Sequence, residues 1–240
     1  MTANSKDTSC IIAIHQPNYI PWLGYFYKIA HSDTFVFLDN VQFPKESPAA
    51  RNYIKGKTGE KVLLSVSVKK SKGAFQNYNE LELDYSTKWH LKHLNQIKDA
   101  YFKAPYFKEF YPELEKLYLE PASNLAAFNT KIILWILNQL NIHTTIKIAS
   151  HFDDGSLGTQ NERNLNICLH FKANKYLSGT GARKYNQEDV FIKKNIELIY
   201  SDYTPQEYTQ INGPFVANLS IIDTLFNVGK EGTRKMILGH

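Results

Sequence analysis

Cysteine is almost missing from this chain. Cys10 and Cys168 are the two among 240 residues, too few for a disulfide framework and without zinc-ligand spacing. His90, His93, His143, His151 and His170 lack metal-ligand spacing with a carboxylate, so no metal site is expected. Long apolar runs are absent too. No stretch approaches the ~20 residues of a membrane-spanning helix, and the first ten residues lack the apolar centre of a signal peptide. The expectation is a cytoplasmic protein that does not span a membrane.

Blocks of one charge are also lacking. The formal charge is +5 and the pI 8.9, but lysine and arginine are scattered, and their densest cluster is Lys69-Lys70-Ser71-Lys72. That argues against a nucleic-acid surface, whereas an anionic small molecule needs only a few local cations. Neither the Gly-rich dinucleotide fingerprint nor a P-loop is present. Repeats, low-complexity tracts and compositionally distinct linkers are missing, which favours one domain over a string of modules.

What is present is an ordinary globular composition, 43% apolar and 21% charged, with residues 1–10 expected to form a disordered tail. Aromatics reach 13%, enough to line a sugar or base site or to fill a core. The opening stretch sets the fold. Ile11 to Ile14 reads as a buried strand, His15-Gln16-Pro17-Asn18 as its turn, Tyr19 to His31 as a helix and Thr34 to Leu38 as the next strand. This βαβ unit implies parallel strands whose carboxyl ends share one edge.

Further strands are read around Tyr53-Ile54, at Lys61 to Val68, near Leu81 to Leu83, at Thr144 to Ala149, Lys175 to Leu177 and Ile196 to Tyr200. The middle is helical: Ser86 to Tyr101 with Ser86 or Thr87 as N-cap, Phe107 to Tyr118, and Ser123 to Leu140. Helices are also read at Thr159 to Lys172, Gln187 to Lys193 and Leu219 to Phe226. The expected fold is α/β, a mostly parallel sheet with flanking helices. Residues 11–240 form one domain carrying a helical insertion at about 86–140.

His15, Gln16, Asp39 and Gln42 converge on the carboxyl edge of the first two strands, where open α/β sheets bind ligands. His15 is either part of a turn that cradles an anion or a buried histidine satisfied by its neighbours. Asp39 could accept a proton, hold a ribose hydroxyl, bind a metal or cap a tight turn. Lys45 and Arg51 add cations near the same edge. Ser178 to Tyr185, SGTGARKY, is either an anion-binding nest or a simple turn before a helix. Gln206, Tyr208, Gln210, Asn218, Asp223 and Asn227 suit a sugar or amide ligand, and Asp223, on an apolar helix, requires a partner if buried.

The segments HQPNYIPWLGYFYKI, SDTFVFLDNVQFPK, RNYI, YLSGTGARKY and FVANLSIIDTLFNVG, in this order, resemble the WbqC-like protein family from Ile11 to Gly229. The family's characteristic residues fall here on His15, Gln16, Pro17, Tyr19, Trp22, Gly24, Tyr25, Asp39, Gln42, Lys45, Asn52, Ser178, Gly179, Gly181, Tyr185, Asp223 and Asn227. Ala182-Arg183 departs from the more glycine-rich turn expected there. The resemblance implies bacterial surface-polysaccharide (O-antigen type) biosynthesis and work on a nucleotide-linked sugar, with acyl or aminoacyl transfer to a sugar amine as the reaction. The cofactor is left open.

In that reading His15 is the general base, with an ordinary pKa near ~6.5. Asp39 orients it or holds a ribose hydroxyl, and Lys45 or Arg183 binds phosphate. Two alternatives stand beside it: a non-catalytic sugar-nucleotide binding or scaffold protein, and an adenylating nucleotidyltransferase-like enzyme. The second lacks both histidines of that group's His-x-Gly-His motif, whose place is taken by Trp22-Leu23-Gly24-Tyr25.

Overall fold

A computed structural model describes residues 9–43, 47–69 and 76–239. Strand β1 (Ile11–His15), helix α1 (Leu23–Ala30) and strand β2 (Thr34–Phe37) form the expected βαβ unit. The two strands are parallel neighbours, with His15 opposite Phe37. The helix begins later than its apolar spacing predicts. Pro17 and Pro21 interrupt the lead-in, and Ile20 sits at φ 33°, a region costly for a β-branched side chain.

The chain then leaves the sheet. Strands β3 (Arg51–Lys55) and β4 (Lys61–Ser65) pair as a separate antiparallel hairpin. Beyond β4, Val68 and Leu83 meet in a single bridge, so the alternation there does not extend into a longer strand. Three helices follow: α2 (Trp89–Tyr101), α3 (Phe107–Leu119) and α4 (Leu125–Gln139). Ser86 and Thr87 do not cap α2; they lie in a 3₁₀ turn capped by Asp84, and Lys88 at φ 52° leads into the helix.

Strand β5 (Thr145–Ile148) pairs parallel outside β2. Helix α5 (Gln160–His170) carries the chain back to β6 (Lys175–Gly179), which lies on the other side of β1. Helix α6 (Glu188–Ile192) leads to β7 (Glu197–Ser201), parallel to β6. Helix α7 (Ile221–Leu238) runs well past Phe226 and is interrupted at Gly229, where φ is 70° and ψ −177°. A side chain at Gly229 would be strained and would meet the Tyr106 ring at 2.7 Å, so glycine is needed there.

The five-stranded parallel sheet therefore runs β5-β2-β1-β6-β7, an α/β fold with helices on both faces. Alternate residues fill two cores, as a sheet covered on both sides requires. Ala13, Phe35, Phe37 and Leu177 pack against α1, α7 and the three middle helices. Ile12, Ile14, Val36 and Tyr176 pack against α5 and α6. Connections leave β1 toward β2 and return on the β6 side, so the strand order reverses between β1 and β6. In open α/β sheets that reversal opens the crevice where ligands bind.

Candidate functional site

A cavity of about 460 Å³ lies at this reversal, within the size range of small-molecule sites. His15 and Gln16 reach it from the end of β1, Trp22, Gly24, Tyr25 and Lys28 from α1 and its N-cap, and Ser178, Gly179, Thr180 and Gly181 from the end of β6. Asn164, Tyr176, Ser201 and Tyr203 complete its polar lining.

The aromatic wall depends on Gly24. A Cβ there would meet Trp22 Nε1 at 2.8 Å and Tyr203 Cδ1 at 2.9 Å, so the two rings close over the helix only because the position is bare. Tyr25 is buried, and its hydroxyl donates to the Gln16 carbonyl at 2.9 Å. His15 lies edge-on to Tyr25 and Trp22, with ring centroids 5.1 and 6.4 Å apart.

The His15 ring pairs through Nδ1 with the same Gln16 carbonyl at 3.0 Å. A carbonyl can only accept, so Nδ1 carries the proton and Nε2 keeps its lone pair. Burial, reinforced by Lys28, pushes the His15 pKa down to about 3. The imidazole is thus neutral at physiological pH, and a base with an ordinary pKa near ~6.5 is not what this environment produces. Lys28 is itself buried, which lowers its pKa to about 7. Its ammonium donates to the Ile14 carbonyl at 2.9 Å and lies 5.7 Å from the centre of the Phe35 ring.

The β6 end forms no anion-binding nest. Gly179 has φ −74° and ψ 147°, a 3₁₀ turn follows over Thr180–Lys184, and no residue from Ser178 to Tyr185 has positive φ. Even so, a Cβ at Gly179 or Gly181 would meet no protein atom within 4 Å. Neither backbone strain nor packing accounts for these two glycines. Bare backbone facing a cavity is what close approach of a ligand uses. Ser178 is buried, and its hydroxyl accepts from Asn186 Nδ2 at 3.0 Å.

Other sequence-predicted residues lie elsewhere. Asp39 shares the carboxyl edge but not the cavity: its carboxylate accepts from Ser150 N at 2.9 Å and Ser150 Oγ at 2.6 Å. It therefore does not orient His15, whose Nδ1–H is taken by Gln16. Gln42 is exposed and bridges to Asn77. Tyr19 is fully buried, its hydroxyl paired with His93 Nδ1 at 2.8 Å and Tyr118 at 2.5 Å. Asn52 donates to the Ile20 carbonyl at 2.7 Å, holding the strained lead-in to α1. Arg183 is exposed and stacks 4.5 Å over the Tyr200 ring, and Tyr185 is 76% exposed. Lys45 lies outside the described residues.

Asp223 and Asn227 belong to an internal cluster. Asp223 is fully buried and accepts from the Tyr101 hydroxyl at 2.6 Å and the Tyr208 hydroxyl at 2.7 Å. Burial raises its pKa, while these hydrogen bonds and Lys55 oppose the rise. Asn227 accepts from Ile211 N at 2.8 Å and donates to the Asp223 carbonyl at 2.8 Å. Buried Lys55 donates to the carbonyls of Gly213 and Pro214 at 2.9 and 2.6 Å. Together these bonds tie the irregular segment before α7 to the core, and they occupy Tyr208, Asp223 and Asn227 of the groups read as a sugar or amide site.

Lys28, Asn164, Tyr176, Ser201 and Tyr203 are cavity residues that sequence reasoning missed. For Lys28 a signal existed, since it stands three residues after Tyr25 and four after Gly24, on one helix face. Burial pushes the Cys168 thiol up to about 12, which makes it inert as a nucleophile. Among the described residues no cluster of His, Cys, Asp and Glu could hold a metal ion, and no helix is long and apolar enough to cross a membrane.

Fold and cavity define an open, doubly wound α/β protein with its candidate ligand site where the strand order reverses. Within that class the chain belongs to the WbqC-like protein family, whose model matches residues 16–235. It is 36% identical over 224 residues, 92% of this chain and 94% of its counterpart, to the uncharacterized protein Rv1507c of Mycobacterium tuberculosis. No solved structure matches the chain.

Proposed function

We propose that this protein is a transferase of bacterial surface-polysaccharide biosynthesis, adding an acyl or aminoacyl group to a nucleotide-linked amino sugar seated in the β1–β6 cavity. The observation that carries this reading is the pair of glycines at the β6 end, bare toward a cavity at the sheet's switch point, where α/β folds receive nucleotides. The aromatic wall of Trp22, Tyr25 and Tyr203 suits a sugar or base face.

In this reaction the sugar amine attacks the carbonyl carbon of an activated acyl group, such as a thioester or acyl phosphate. A C–N bond forms, the thiolate or phosphate leaves with its electron pair, and the amine sheds a proton. His15 supplies an unprotonated ring nitrogen to receive that proton. A diphosphate in the cavity would counter Lys28 and stabilise the imidazolium, raising His15 toward the range where it works as a base.

The test is to incubate purified protein with dTDP- and UDP-linked amino sugars and acyl donors, following the acylated product by mass spectrometry. Turnover by the isolated chain, lowered about 10²–10⁴-fold in a folded His15→Ala variant, is the expected result. Sugar-nucleotide binding without turnover would replace the transferase by a non-catalytic binding protein. The strand order also favours a second reading, an adenylating enzyme, which requires ATP to bind alone and pyrophosphate to be released.

A further inference from the structure

We infer that Lys28 anchors an oxyanion of the ligand, a phosphate, diphosphate or carboxylate group, in the β1–β6 cavity beside His15. This rests on the reading of that cavity as the ligand site, and it names the chemical class the cavity accepts.

Lys28 is the one charged side chain on the cavity wall; no aspartate, glutamate or arginine lines it among the described residues. The side chain is 4% exposed. An ammonium has three N–H donors, and here one goes to the Ile14 carbonyl. No other hydrogen bond and no carboxylate within ion-pair distance is found for it among the described residues. A buried cation without a counter-charge is costly, and the cost is relieved by losing the proton or by gaining an anion.

The rest of the wall favours the anion. Thr180 and Ser201 bring hydroxyls, and the buried Tyr203 hydroxyl has no hydrogen-bond partner. Gly179 and Gly181 leave the space above them open. The other titratable groups sharing this wall are His15 from β1, Tyr25 from α1, Tyr176 from β6 and Tyr203 beyond β7. His15 is held neutral, and burial pushes all three tyrosines up. None supplies a negative charge near neutral pH. Were Lys28 merely a prop for the Ile14 carbonyl, its protonation would not respond to an anion.

That difference gives the test. At pH 8 a group with a pKa near 7 is about one-tenth protonated, so seating an anion beside it draws in a proton. Wild-type protein is titrated calorimetrically with dTDP-glucose, sodium sulfate and glucose, each in two buffers of different ionisation enthalpy. Neither anion titrates near that pH. Both anions should bind with uptake approaching ~0.9 proton, and glucose should cause none.

Lys28→Met should weaken both anions about 10- to 100-fold and abolish the uptake. Lys28→Arg, permanently charged, should bind them without uptake. Anion binding unchanged in Lys28→Met, binding without proton uptake by wild type, or no anion binding at all would each overturn the inference. Sulfate binding that depends on Lys28, with no binding of any sugar nucleotide, would uphold the anchor and overturn the sugar-nucleotide reading.

Discussion

Replacing Gly179 with valine should make the protein more stable and impair the site at once. At φ −74° and ψ 147° the backbone already has a conformation open to any L-residue, and an added Cβ meets nothing within 4 Å. The added Cβ therefore introduces no clash, while the substitution restricts the unfolded chain. Substitutions of glycine at compatible positions stabilise by about 0.4–1 kcal/mol, which for a domain of this size is a rise in Tm of roughly 1–4 °C. The valine methyls would occupy the open space over the end of β6, where the ligand is proposed to lie. Affinity for a bound sugar nucleotide should fall at least tenfold, about 1.4 kcal/mol. Differential scanning calorimetry with and without ligand reads both effects. A variant melting several degrees below wild type would mean that the fold itself requires this glycine. Unchanged affinity would mean that the cavity is not the site.

His15→Gln tests the depressed histidine. Its pKa is about 3 in the folded chain against about 6.5 unfolded, so below the unfolded value the unfolded state takes up the proton first. Wild type should accordingly lose about 3 kcal/mol more than the variant between pH 7 and pH 4, measured by urea titration; equal losses would refute the shift. Asp223→Ala leaves the buried Tyr101 hydroxyl and the half-buried Tyr208 hydroxyl without their acceptor, and urea unfolding should show a cost of about 3–5 kcal/mol. Ligand affinity of the folded fraction should stay within about twofold, and a selective loss of affinity would return Asp223 to the site. Asn52→Ala frees the Ile20 carbonyl and should cost about 1–3 kcal/mol, with weaker ligand binding because α1 and its N-cap Trp22 carry four cavity residues; a neutral effect on both would sink that role.

The framework was legible because it rests on local signals. Ile11 to Ile14 and Thr34 to Leu38 are apolar runs bounded by turn formers, and a buried parallel strand looks like that wherever it occurs. Pairing order is different in kind. Nothing local to Lys175-Tyr176-Leu177 says that this strand returns beside Ile11 to Ala13 across more than 160 residues. That return opens the cavity and brings Gly179 and Gly181 toward His15. The two stretches were each readable, and their meeting was not.

The distribution of polar side chains shows a second limit. Asp223 was read as a site residue because a buried polar group needs a partner, Asn227 because amides near aromatics suit a sugar, and Tyr19 and Asn52 through the family resemblance; in each case a ligand was one possible partner. The chain supplies its own: Tyr101 and Tyr208 for Asp223, Ile211 for Asn227, His93 for Tyr19, the Ile20 carbonyl for Asn52. Internal clusters and ligand sites share one sequence signature, and only tertiary geometry separates them. Lys28 shows the converse. A lysine near the end of a helix is read as solvated, or as a favourable charge at the dipole's negative end. Here Tyr25 and Lys28 both line the cavity, so the helical period that buries the aromatic buries the cation as well. What distinguishes Lys28 is therefore not its residue type but an unmet electrostatic need, which appears only once the walls around it are assembled.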